Sequence, residues 1–346
     1  MRKLMMIVGL VLLLAMPAFA TEYTAPSAPE SVRPLMPAET ETFGEGLWHV
    51  VKSAISVVFP ETSAVAGTCL AVCAIVLLAS LINGMPGKSK QVTGLVCVLG
   101  ISTVLMSQTN SLISLGSDTV LKLTDYGKLL LPVMTGALAA QGGVTGATAL
   151  YAGTTVVNTI LTTLIGKLLV PMIYMFLILS IACSAIGEDL LKKIRDLIKW
   201  LMTWGLKSIL YVFTGYMTIT GVITGTADAA ALKATKLTIS GMVPVVGGIL
   251  SDASEAVVLG AGVMKSAAGV YGMTALVALC ITPFLQIGIQ YLVLKLTAAL
   301  CSAFGVKQAS NLVDDFSSAM GLLLGMTGTV CVILMISVIC FMKGMG

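Results

Sequence analysis

Apolar residues along this chain come in long runs of about 17 to 25 positions with few or no charges, the length a helix needs to cross roughly 30 Å of hydrocarbon. The first runs from about Ser63 to Ile82 and the second from about Val92 to Met106, with Lys88 and Lys90 in the loop between them. A mixed-charge stretch follows from Asp118 to Lys128. Next comes an apolar piece interrupted by Pro132, Gly136 and the glycines of 142–146, a poor continuous helix. Two further spans are expected at Ala147 to Gly166 and Leu168 to Ile186, and another at about Leu201 to Val222. A polar stretch, Thr226 to Ser240, and a second broken apolar segment, Gly241 to Gly269, precede the closing spans: Val270 to Ile287, Gln290 to Phe304 and Met320 to Phe341. The pattern predicts an all-α fold, a polytopic transmembrane helical bundle of about 7–10 spans.

Two segments show helical periodicity with a polar face. Leu47, Val50, Val51, Ala54, Ile55 and Val58 recur at helical spacing, predicting an amphipathic helix over 46–60 on the outer membrane surface or on a partner. Leu190, Leu191, Ile194, Leu197 and Ile198 oppose Lys192, Lys193, Arg195, Asp196 and Lys199, predicting a helix flat on the cytoplasmic surface beside Trp200 and Trp204.

The N-terminus organises the rest. Arg2 and Lys3, an apolar stretch from Leu4 to Ala15 and the small-x-small pattern Ala18-Phe19-Ala20 read as a signal peptide over 1–20, with an uncleaved anchor as the alternative. Residues 21–45 carry four prolines and five acidic residues and read as an exported, flexible leader. The polytopic domain is then 61–346, and Lys88 and Lys90 place the first loop in the cytoplasm and the mature N-terminus outside it. A duplication of 129–225 as 241–342 is also expected. Pro132-Val133-Met134-Thr135-Gly136-Ala137-Leu138 aligns with Pro244-Val245-Val246-Gly247-Gly248-Ile249-Leu250 at an offset of 112, which also carries Pro171 onto Pro283.

Composition narrows the function classes. The chain of 346 residues is 57% hydrophobic and 10% charged, with a mean hydropathy of +1.00, too apolar for a soluble domain. A net charge of +4 with no basic stripe excludes nucleic acid as a partner and leaves the lipid bilayer. The eight cysteines form no CxxC pair, and the lone His49 lies in the exported helix, so neither a metal site nor a histidine-based catalytic site is expected. No GxxxxGK[ST] or GxGxxG occurs. The chain reads as a non-enzyme with no cofactor, drawing energy from a partner or a gradient.

What remains is polar chemistry near the membrane. Pro244, Gly247 and Gly248 break a helix just before Ser251, Asp252 and Glu255, which reads as the lining of a polar passage or as a packed kink. Lys295, with Gln286 and Gln290 on preceding turns, either faces a cavity or partner or snorkels to the interface. Gly221 and Gly225, and Gly321 and Gly325, fit close helix packing or homo-oligomerisation.

The stretch from Lys233-Ala234-Thr235-Lys236 through Val243-Pro244-Val245-Val246-Gly247-Gly248-Ile249-Leu250-Ser251-Asp252-Ala253 to Val258-Leu259-Gly260 closely resembles the signature region of the stage III sporulation protein AE family. The order of signal, acidic leader and multiple spans is similar over nearly the whole chain. The resemblance implies a subunit of the spoIIIA-operon complex in the mother-cell membrane around the forespore. That complex is a secretion-like channel needed for late forespore development, with an ATPase subunit and a forespore-membrane partner. It carries over Pro244, Gly247, Gly248, Ser251 and Asp252 as motif positions without roles. The competing expectation is an autonomous secondary transporter for a small solute, with a midplane site near Asp252 and Lys295.

Overall fold

The computed structural model describes residues 25–37, 43–84, 90–140, 144–187, 189–219 and 267–344, and every regular element among them is helical. We number the α-helices in chain order: α1 (Phe43–Val58), α2 (Thr62–Asn83), α3 (Lys90–Ala140), α4 (Val144–Leu164), α5 (Val170–Ile186), α6 (Asp189–Ile219), α7 (Ala267–Ala303) and α8 (Lys307–Gly344). Five stretches are long and apolar enough to cross a membrane: Thr62–Asn83, Gln91–Ala139, Gly146–Ile186, Gly269–Ala303 and Lys307–Met342.

Among the described residues, expected spans are joined into longer rods. The two spans expected across 147–186 are one rod, because a single π-helical turn, Ile165–Leu169, carries the chain from α4 into α5. Pro171, which has no N–H to give, follows closely on that π-helical turn. The segments expected at 270–287 and 290–304 likewise form one helix, α7, with Pro283 inside it. Pro132 does not break α3 either. A proline in a buried helix removes one hydrogen bond, and packing on neighbouring helices over many turns outweighs that loss. At about 1.5 Å per residue, the 51 residues of α3 extend roughly 77 Å, more than twice the ~30 Å hydrocarbon thickness.

The surface of α3 shows where that excess length goes. Its exposed positions are first apolar, Val92, Leu95, Val96 and Leu99. From Thr103 they turn mainly polar, through Ser107, Asn110, Ser111, Ser114, Asp118, Lys122, Asp125 and Lys128, with Leu121 exposed among them and Leu129 directly after. Lys128 and Asp125 pair at 2.8 Å with both side chains in the open. The exposed face of α3 is thus mainly apolar before Thr103 and mainly polar from there to Lys128.

The two amphipathic segments are both helical, and both pack on the bundle. The helix expected to lie flat over 190–199 is the start of α6, which runs unbroken to Ile219 and packs on α5 and α8. The N-terminal helix, α1, buries Phe43, Gly46, Val50, Ala54 and Val58, packs along α7, and continues through the short turn Phe59–Glu61 into α2. The leader is not free over 25–37. Ala28, Val32 and Leu35 are buried, the Tyr126 hydroxyl donates to the Pro26 carbonyl (3.2 Å), and the Ala28 amide donates to the Tyr271 hydroxyl (3.1 Å). Too few apolar residues to fold alone are still enough to dock on a preformed surface.

Two tight reversals fold the rods back. Gly187 (φ +84°) ends α5, its N–H bonding to the Cys183 carbonyl at 2.8 Å, and Gly305 (φ +78°) joins α7 to α8. These are the left-handed positions among the described residues, and glycine adopts them without the Cβ clash of other residues. The centre of the bundle is α8, which contacts α3, α4, α5, α6 and α7. Its hydroxyls fold back onto its own backbone, Thr327 to Leu323 and Thr329 to Gly325, so the buried apolar helix carries no unpaired threonine there.

Candidate functional site

Two polar sites interrupt the apolar bundle. The first is a cavity of about 590 Å³ between α2, the middle of α3 and the middle of α7, beside the polar stretch of the α3 surface. Gln286 and Gln290 are four residues apart and share one face of α7, and both line it. From α3 come Gln108, Ser111, Ser114 and Asp118, and from α2 Thr62. The buried Gln290 donates through Nε2 to Gln108 Oε1 at 3.2 Å, while its own Oε1 has no partner among the described residues. Asp118 is exposed at the rim.

The second site is a pair of clasps on α8. Asp314 and Asp315 are consecutive, so their side chains leave the helix about 100° apart and reach different neighbours. Asp314 pairs with Lys295 of α7, both roughly half exposed. Asp315 pairs with Arg195 of α6 at 2.6 Å, with side chains only 12% and 17% exposed. Arg195 also holds Asp196 at 2.9 Å, and Lys199 donates to the Ser318 hydroxyl at 2.9 Å. Burial works against the Arg195 charge, and the Asp315 and Asp196 carboxylates outweigh it, leaving its pKa above the ordinary guanidinium value.

The expected site residues are thus divided. Lys295 faces Asp314, five residues along α7 from Gln290 and turned away from the cavity that Gln286 and Gln290 line. Gly321 and Gly325 are buried along α8. Pro244, Gly247, Gly248, Ser251, Asp252, Glu255, Gly221 and Gly225 lie outside the described residues. Sequence reasoning missed Gln108 and Asp315. Their partners are 182 and 120 residues away in the chain, and no local pattern marks either contact. The two glutamines four apart in an apolar run were the readable signal of the cavity.

Among the described residues no group of three or more His, Cys, Asp or Glu gathers to hold a metal ion. Long apolar rods whose outward surfaces carry Leu70, Leu78, Val96, Ile178 and Leu292 are those of a multi-pass helical membrane protein. Residues 37–344 match the family model described as stage III sporulation protein AE, and the chain belongs to that family. The chain is 21% identical over 207 residues to the stage III sporulation protein AE of Bacillus subtilis (strain 168), a match covering 60% of this chain and 52% of that protein. It therefore spans about half the length of the curated relative it matches. No solved structure matches. Family membership implies a role in sporulation, in a family of membrane proteins not known as enzymes.

Proposed function

We propose that this protein is a membrane subunit of the sporulation-specific channel complex joining mother cell and forespore, and that it is required for late forespore development. The family match over 37–344 carries this reading. In it, the protein sits in the mother-cell membrane around the forespore with its mature N-terminus outside the cytoplasm. It assembles with the other spoIIIA-operon proteins, including the ATPase subunit, and through them with the forespore-membrane partner. The side of the bundle on which residues 25–37 and α1 are docked is the surface offered to those partners.

The filled bundle axis supports a subunit over a self-contained carrier. In α8, 94% of the most apolar window is buried in protein, which supports a conduit outside this helix's surroundings. A conduit built from such chains lies between copies or between subunits. Pro244, Gly247, Gly248, Ser251, Asp252 and Glu255 are the candidate lining for it.

The test is an in-frame deletion scored for forespore size and late forespore reporter expression after engulfment. Small, collapsing forespores with silent late genes, restored by the intact gene, are expected. Normal spores would remove the reading and favour the autonomous transporter, whose mark is solute flux in liposomes holding the purified chain alone.

A further inference from the structure

We infer that the cavity between α2, α3 and α7 binds the primary ammonium headgroup of an aminophospholipid such as phosphatidylethanolamine. The inference goes beyond the sporulation reading and does not depend on it.

The lining is rich in acceptors and has no cationic side chain. The carboxylate of Asp118 has no ion-pair or hydrogen-bond partner among the described residues, and neither do the hydroxyls of Ser111 and Ser114. Deeper in, Gln290 forms part of the wall, its own Oε1 closed even to water, so the acceptors open to a ligand are those of Asp118, Ser111 and Ser114. One negative charge surrounded by neutral acceptors is complementary to a compact cation with several N–H donors. A primary ammonium has three.

The same lining excludes neighbouring chemistries. A trimethylammonium group has no N–H to donate and is held by aromatic cages, and the lining contains no aromatic ring. An anionic headgroup without an amine would meet Asp118 with like charge and find no lysine or arginine in the cavity wall. A bare cation does not need about 590 Å³, a volume within the roughly 300–1,000 Å³ of small-molecule sites.

Position selects a lipid as the source. The cavity lies on the polar side of the change in α3's exposed face, from Val96 and Leu99 to Thr103, Ser107 and Ser111, and this is where the inference puts the lipid headgroups. Val65, Leu112 and Leu115 give the wall an apolar side against which the first carbons of an acyl chain can lie. α2, which continues from the cavity into the membrane, exposes Leu70, Leu77 and Leu78.

The experiment is native mass spectrometry of the delipidated full chain with added phosphatidylethanolamine, phosphatidylcholine or phosphatidylglycerol. Loss of one charge-assisted hydrogen bond corresponds to about tenfold in affinity, so phosphatidylethanolamine is expected to be retained about tenfold over the other two. Asp118→Asn, at an exposed position where folding is indifferent to the change, should remove that preference. Ser114→Leu, which narrows the cavity and keeps the carboxylate, should lower retention of phosphatidylethanolamine as well. Equal retention of the three lipids, or an unchanged preference in both variants, overturns the inference. Binding of soluble glycerophosphoethanolamine as tight as that of the lipid would overturn the lipid source and make the ligand a free amine.

Discussion

α2 and α8 have nearly the same mean hydropathy, 2.6 and 2.5 over their most apolar windows, yet 17% of the first window and 94% of the second is buried in protein. One helix faces lipid and the other is the axis of the bundle. Lipid tails and a packed protein interior are equally apolar, so transfer from water does not distinguish them. What does is the partner set: α8 touches five other long helices, and α2 packs chiefly on α3 and α7.

That contrast can be broken most severely on α8. Phe316→Ala removes a fully buried ring and is expected to cost about 3–5 kcal/mol, read as a lowered thermal midpoint in detergent. Arg195→Ala comes next, because it strands Asp315 in a site 12% exposed, and about 3 kcal/mol of lost stability is expected, the low end for breaking a buried pair. Restoration of the midpoint by the double variant Arg195→Ala/Asp315→Asn would show that the cost comes from the stranded charge. Lys295→Ala breaks the half-exposed counterpart and should cost under about 1 kcal/mol. A loss as large as that of Arg195→Ala would show that the two clasps are equally buried. Leu78→Ala on the outward face of α2 is the smallest, within about 0.5 kcal/mol of the parent. Cysteine labelling gives an independent reading: a membrane-permeant maleimide should modify half-buried Cys69 and Cys73 on α2 well before buried Cys331 and Cys340 on α8. Similar rates at the four sites would contradict the central position of α8.

How far the sequence could be read follows from the same physics. The amphipathic segments at 46–60 and 190–199 were legible because a polar face at a period of 3.6 is a local property. Their destinations were not. α1 buries Val50, Ala54 and Val58 along α7 while Trp48 and Ile55 stay exposed, and Arg195 of α6 meets Asp315 on α8. Pro132 reads as an interruption, since a proline in isolation breaks a helix, and in the bundle it lies within α3. The cavity was half legible: Gln286 and Gln290 marked a polar face on α7, and only folding brought Gln108 and Asp118 of α3 opposite it.

The sequence by itself determined that this protein is helical and lives in a membrane, because unpaired backbone groups leave apolar runs of this length no other structure in lipid. It also determined the family, through a motif that local residues spell out. Which apolar helix faces lipid, which is buried as the axis, and which polar side chains meet were decided by tertiary packing alone. Each of those outcomes depends on shape and on partners far apart in the chain, and hydropathy assigns lipid and protein interior the same value.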